Sequence, residues 1–414
     1  MTLLADFDIA QDLKVEFYIP DDAANLFIIG VSDIGGTNVL AGAGWFIIGV
    51  SEIGGTDVLA EGQYAFDWRN LNCETANVKT ELGGTVENMT YFQAQPSVAA
   101  IVLQSYTYDP TNNRTIRPGT PVRVRLNRGE LDKVIYSGFI NSVDVSYTVG
   151  GPNLISISAL DSFNKVVATR LAEFDTTTDF PEGYASPYEV IEKVAEGYGT
   201  SMNALSSETT GRIPSVLETD VIPNVLLSDA IQVGLGFFWI DPPTQEFVFI
   251  PRPIIAAIPE GTYTIGNSHE DALHLCMSDL TVQGEYDDVY NSLRVALKSD
   301  DATYVIRQDQ DSIDLYDIAA IDVQIDTTDI DQLNVWADRV FKQYPTRLVK
   351  SVTTPAVDRL NNLTHAAEIM PGEVLGVKYV TTELNVDSYY SVAKVVHTID
   401  VDNWFTTLEL WKEA

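Results

Sequence analysis

The chain has 414 residues, 45% of them hydrophobic, which suffices for two to four domains with buried cores. Fifty-nine acidic residues against twenty-five basic ones give a net charge of −34. That balance excludes free nucleic acid and anionic membranes as binding partners, because phosphate recognition needs clustered Lys and Arg.

The first ten residues, MTLLADFDIA, lack the basic start of an export signal, so none is expected. A tandem repeat follows. FIIGVSDIGGTNVLA at Phe27–Ala41 returns nineteen residues later as FIIGVSEIGGTDVLA at Phe46–Ala60, identical at thirteen of fifteen positions. Each copy reads as a β-hairpin, with Gly-Gly supplying the positive φ of a tight turn. The longest run without a polar side chain, Val39–Val50, is too short for a bilayer, which takes roughly twenty residues. Two copies are too few for a solenoid, and a lone hairpin is marginal in water. The segment must therefore bury Phe27, Ile29, Trp45, Phe46 and Ile48 against the body or a partner, and these five are the candidate interface.

Beyond the repeat, strand patterns dominate. Pro121–Leu126 alternates, with Val122, Val124 and Leu126 on one face and Arg123 and Arg125 on the other. Val134–Val149 reads as one long strand bulged at Gly138, and Leu154–Leu160 alternates again after the Gly150–Gly151 turn. Ser186-Pro187-Tyr188-Glu189 is a capping box with Pro at the first helical position, opening a helix with Val190, Ile191, Val194, Ala195 and Tyr198 on its apolar face. Ser228 marks the start of a short second helix. Asp329–Tyr344 is the third, stopped by Pro345. Strands at Val374–Val380, Tyr389–Ile399 and Trp404–Trp411 close the chain. The implied class is β-rich α+β, with α/β material between two β domains.

Catalytic and metal signatures are weak. His269 and His274 are spaced i, i+5 around Glu270, which takes the second His off the helical face a zincin needs, and no fourth ligand accompanies Cys276. Cys73 and Cys276 are read as buried free thiols. Asp309, Asp311, Asp314 and Asp317, then Asp326, Asp329 and Asp331, lack the glycine and terminal glutamate of an EF-hand. There is no GxSxG, P-loop or dinucleotide fingerprint. The reading is a non-enzymatic chain without cofactor or metal.

Several pieces, in order, resemble phage tail hub proteins, the minor tail proteins of siphophages. They are Phe92-Gln93-Ala94, Ile101–Leu103, the loop Tyr108–Asn113, Ile116–Val124 with Pro118-Gly119, Tyr136–Ile140 and Ile155–Asp161. Met370–Val374, His397–Ile399 and Trp404–Trp411 extend the likeness, which covers roughly 62–414 and omits the repeat. The repeat marks an N-terminal segment 1–61, and the resemblance implies a first β-barrel at 62–175. An α/β domain at 176–260 and a second barrel at 261–414, interrupted by helix 329–344, follow. It further implies a homotrimeric ring at the tail tip, seated on the distal tail or tube protein ring. Tape measure protein and fibre or spike proteins are its other partners. Genomic DNA passes without specific binding through an acidic channel, and no stable membrane insertion is expected. Assembly in the host cytoplasm and residence in the virion tail follow. The alternatives are a distal tail or fibre-attachment component and, behind it, a tail-associated cell-wall hydrolase.

Overall fold

The computed structural model describes residues 12–20, 66–71, 73–87, 91–111, 116–128, 131–177, 183–203, 211–215, 217–251, 262–267, 274–282, 290–328, 330–341, 349–357, 364–401 and 403–412. Most described strands belong to one fifteen-stranded sheet with two lobes. The first lobe runs Phe66–Asn70, Leu13–Pro20, Pro121–Arg128, Leu131–Ser146, Asn153–Leu160, Val98–Ser105, Glu74–Glu87. The second runs His274–Cys276, Thr264–Gly266, Val374–Val380, Asn385–Asp400, Trp404–Lys412, Val349–Pro355, Asp279–Val282. Each lobe thus places a strand entered through Pro-Gly beside a sixteen-residue strand, followed by a returning strand. No described sheet closes on itself, and the two expected barrels correspond to the two lobes of this one sheet.

The lobes agree in backbone detail. Gly119 N–H donates to Ile140 O at 2.7 Å and Ile140 N–H to Thr120 O at 2.9 Å. Gly372 N–H donates to Val392 O at 2.7 Å and Val392 N–H to Glu373 O at 2.8 Å. Both glycines have positive φ, +89° and +83°. One residue past each bond pair the register slips, at Asn141 and at Ala393. Such a bulge bends a long strand so that its two halves serve different neighbours. Gly138, expected to be the bulge, has another role. A Cβ there would lie 2.5 Å from Leu160 O and from the Tyr136 hydroxyl, so glycine permits a close approach of strands.

Five α-helices lie among the described residues: α1 Phe163–Ala168, α2 Pro187–Gly197, α3 Pro223–Gly234, α4 Gln310–Tyr316 and α5 Ile330–Phe341. At α2, Glu189 N–H donates to Ser186 Oγ and Ser186 N–H to Glu189 Oε2, the reciprocal pair of a capping box. The second helix starts at Pro223, not Ser228, because Pro at the first position presets φ and needs no donor. Ser228 sits within it. Strands Ser292–Leu297, Tyr304–Gln308 and Ala320–Ile325 form a separate three-stranded sheet, so more than one helix interrupts the second lobe. Alternation alone does not tell which sheet a strand joins.

Two cores result. The first gathers the inner faces of both lobes, from Val122 and Val124 to Val395 and Leu408. The second holds the helices and small sheets, and takes Leu82, Phe92, Ala393 and Trp411 from the large sheet. Cys73 is half-buried and its thiol is pushed up by burial, while Cys276 is exposed. The expectation of two buried thiols is corrected at Cys276: its strand, His274–Cys276, ends the sheet path, and alternation turns this residue outward.

Candidate functional site

The lobes meet where Asn77–Gly83 pairs antiparallel with Lys394–Asp400. Past that stretch the strand Glu74–Glu87 leaves the joint and pairs with Tyr91–Ala94. Gly83 and Gly84 make the departure possible. Gly83 has φ +106°, and a Cβ on it would sit 2.4 Å from Ala393 O; one on Gly84 would sit 2.1 Å from Gln93 O. No side chain fits either place. Beyond the turn Phe92 lies edge-on to Phe237, which in turn meets Trp411, at centroid distances of 5.5 and 5.6 Å. Three segments far apart in sequence are thus locked together by aromatic contact.

Charge follows the joint. Lys394 Nζ reaches Glu81 at 2.5 Å and Lys79 Nζ reaches its other oxygen at 2.7 Å. Burial raises the Glu81 carboxyl, but bonds from Lys394 and Lys79 outweigh it and hold the group below its ordinary value. A second contact between the lobes is made by Lys133, which donates to Glu368 O at 3.0 Å. Burial depresses this lysine against the pull of Glu368, Glu373 and Asp241; burial likewise raises Glu373 against Lys133. Gln245 Nε2 adds a bond at 3.4 Å to Ser137 O, tying the α/β unit to the first lobe.

The candidate interface residues Phe27, Ile29, Trp45, Phe46 and Ile48 lie outside the described residues. The flanking strands are informative. Pro20 is the register partner of Phe66, so the repeat-bearing stretch leaves and re-enters the sheet at one point. The outer face at that root carries Tyr18 against Trp68 at 5.4 Å and the Arg123 guanidinium 4.4 Å from the Trp68 ring. Arg123 also binds Glu16 at 2.6 Å, and Arg125 pairs with Asp132. The alternation Arg out, Val in of Pro121–Leu126 is therefore present as expected.

Other chemistry is thin. His269 lies outside the described residues, and among the described residues no group of three or more His, Cys, Asp and Glu is placed to hold a metal. No described helix is long and apolar enough to cross a membrane. Asp309 caps α4, accepting from Ser312 N–H at 3.0 Å. His397 is buried, with Nδ1 accepting from Trp404 Nε1–H at 3.2 Å and 3.0 Å from the Thr406 hydroxyl; burial drives it down to about 3, so it is neutral. His365 stacks on Tyr263. The sequence reading missed Gly83-Gly84, Lys133 and Lys394. A Gly-Gly pair inside the strand pattern ELGGTVE was the available signal.

No family model matches the chain, and no curated protein matches its sequence. Solved structures do. A tail protein from Neisseria meningitidis MC58 is 13% identical, with 83% of this chain aligned to 93% of that one and a TM-score of 0.57. The 43 kDa tail protein of prophage MuSo2 from Shewanella oneidensis is 11% identical, with 84% aligned to 95% and a TM-score of 0.54. The fold of this chain is that of phage tail proteins.

Proposed function

We propose that this chain is a structural hub of a phage tail tip. In this reading three copies form a ring in the virion tail, and each supplies two similar β-barrels, at 62–175 and 261–414. Six near-equivalent units then face the distal tail or tube ring, which reconciles sixfold and threefold symmetry. The tape measure protein and then DNA pass through the centre, where excess acid repels phosphate and keeps the wall from holding DNA. Fibre or spike proteins attach to the threefold side, and the chain performs no catalysis.

The observation that carries this reading is the internal duplication. Two lobes repeat one strand order, one pair of glycine hydrogen bonds and one bulge. A chain that is two copies of one unit presents twice its own number of docking faces. Native mass spectrometry of the full chain and a cryomicroscopy map of the intact tail tip test it. A trimer at the end of the tail tube is expected. A free-standing hexamer would make the chain a distal tail ring instead, and turnover of purified cell wall would make it a hydrolase.

A further inference from the structure

Residues 21–65 hold no Lys, Arg or His, and their only charged side chains are Asp21, Asp22, Asp33, Glu52, Asp57 and Glu61. They also hold Phe27, Trp45 and Phe46, which gain by leaving water. A surface that takes them must be partly apolar and must not be acidic. The second condition is demanding on a chain with 59 acids and 25 bases.

One face of the first lobe meets both conditions. Along Leu13–Pro20 the residues Leu13, Val15, Phe17 and Ile19 are buried, so Lys14, Glu16 and Tyr18 between them point outward. Strand pairing sets Arg125 opposite Lys14, Arg123 opposite Glu16 and Trp68 opposite Tyr18. These six side chains share the outer face. Its aromatic end is open: Trp68 is half-buried, and Tyr18, which lies against it, is 39% exposed. Its basic end keeps a cation to spare. Arg123 binds Glu16 and Arg125 binds Asp132, but the Lys14 ammonium makes no ion pair among the described residues. The bond from Arg125, opposed by desolvation, holds the Asp132 carboxyl below its ordinary value, and the fields of Arg123 and Lys14 add to it. The three cations thus act in one place, against Glu16, Asp132 and, just before the strand, Asp12. Such a balance of charge is absent from the chain as a whole.

The same face adjoins both ends of residues 21–65. Pro20 and Phe66 are register partners, two steps beyond Tyr18 and Trp68. Two steps along a strand are about 7 Å, so the chain leaves and returns beside the aromatic pair. A segment tethered there meets the face at an effective concentration on the order of millimolar, and contacts too weak to hold a free partner hold it.

We infer that residues 21–65 dock on the outer face of Lys14, Tyr18, Trp68 and Arg123 of their own chain. The aromatic side chains of the repeat lie against Tyr18 and Trp68. The acid that each copy keeps at the same place, Asp33 and Glu52, lies towards Lys14 and the arginines beside it. The contact is made within one chain, so it goes beyond the hub reading and needs no ring.

The full chain is made with Tyr18→p-benzoylphenylalanine, mixed with an equal amount of the same chain labelled with nitrogen-15, and irradiated. Cross-links into residues 27–60 that join only peptides of equal label are expected. Cross-links that join labelled to unlabelled peptides make a second copy the occupant and overturn the inference. Cross-links confined to the few residues beside Pro20 and Phe66, or none, overturn it as well. As a second measurement, hydroxyl-radical labelling of Trp68 should rise about threefold in Lys14→Glu, with the circular dichroism melt retained, because that lysine has no ion pair to lose. Adding Asp33→Lys and Glu52→Lys to that variant should bring the labelling back towards the parent. Labelling that is indifferent to Lys14→Glu, or that the added lysines leave raised, overturns the charge pairing. Protection of Trp68 that appears only in assembled tails gives the face to another tail protein and overturns the docking. A chain that forms no trimer sinks the hub reading and leaves the docking standing, whereas cross-links between chains do the reverse.

Discussion

The two lobes are built alike and finished differently. In the first, the strand after the long one, Asn153–Leu160, runs into Asp161 and on to α1; in the second, its counterpart ends in Trp411, packed in the second core. The bulge residue is exposed Asn141 in the first lobe and fully buried Ala393 in the second. Both lobes thus anchor the α/β layer, the second through its bulge residue and the end of its returning strand, the first through Leu82 and Phe92. Duplicated units keep what defines the fold, the Pro-Gly entry and the bulge, and diverge where neighbours differ.

The harshest way to break the comparison is at the joint. Gly84→Val places atoms where Gln93 O already stands 2.1 Å from an added Cβ, and backbone cannot yield as a flexible side chain can. A loss of about 3–4 kcal/mol in urea unfolding is expected, with the first core loosened from the second. Gly119→Ala is the control: its added Cβ meets nothing within 4 Å, so only the positive φ matters, at about 1–2 kcal/mol. Equal losses for the two would remove the joint from its central place.

A subtler difference lies in titration. Asp161 is buried and accepts from Ser97 N–H at 2.9 Å and Phe163 N–H at 3.0 Å; burial pushes its carboxyl up to about 7 despite those bonds. An acid with a raised folded pKa is protonated in the folded state when the unfolded chain has already ionised. Its contribution is therefore full below about pH 4 and is lost as pH rises to about 7. His397, held down to about 3, has the opposite sign: its contribution is full above 6.5 and is lost as pH falls towards 3. Between pH 4 and 6.5 the lobes pull against one another, each with a slope of at most about 1.4 kcal/mol per pH unit. Urea midpoints across pH should show Asp161→Asn steeper than the parent in the rising direction, and His397→Gln steeper in the falling one. Curves parallel to the parent would mean that neither group titrates as its burial demands.

Much of this was legible in the sequence, and the rest was hidden for definite reasons. Strict alternation at Pro121–Leu126, the capping box at Ser186 and the Pro-Gly at the entry to the strand before each long one are local signals, and local physics decides them. The equivalence of the lobes was not legible from those residues alone. It rests on which strand lies beside which, and on two hydrogen bonds in each lobe that join residues far apart along the chain, Gly119 and Thr120 to Ile140 and Gly372 and Glu373 to Val392. The joint was hidden because Lys394–Glu81 and Lys133–Glu368 join chain segments with no shared pattern. The five candidate residues of the repeat gained no position, but their root did, at Pro20 and Phe66.

The mildest test concerns what each lobe shows on its outer face. Counting from the Pro-Gly pair, Arg123 corresponds to Gly376. A side chain is barred at Gly376, where a Cβ would stand 2.9 Å from Thr264 Oγ1 and 3.3 Å from the Tyr389 ring. At Arg123 the same place is open, and the guanidinium lies over Trp68 while binding Glu16. Glu16 is buried and would keep only Arg125, at 4.0 Å, so Arg123→Ala should cost about 1–2 kcal/mol. A double-mutant cycle with Trp68→Leu separates its parts. Coupling of about 0.5 kcal/mol, unchanged in high salt, assigns the stacked ring a share of its own. Coupling that vanishes with salt leaves only the charge of Glu16, and the aromatic pair at the root of the repeat then needs another reason to be there.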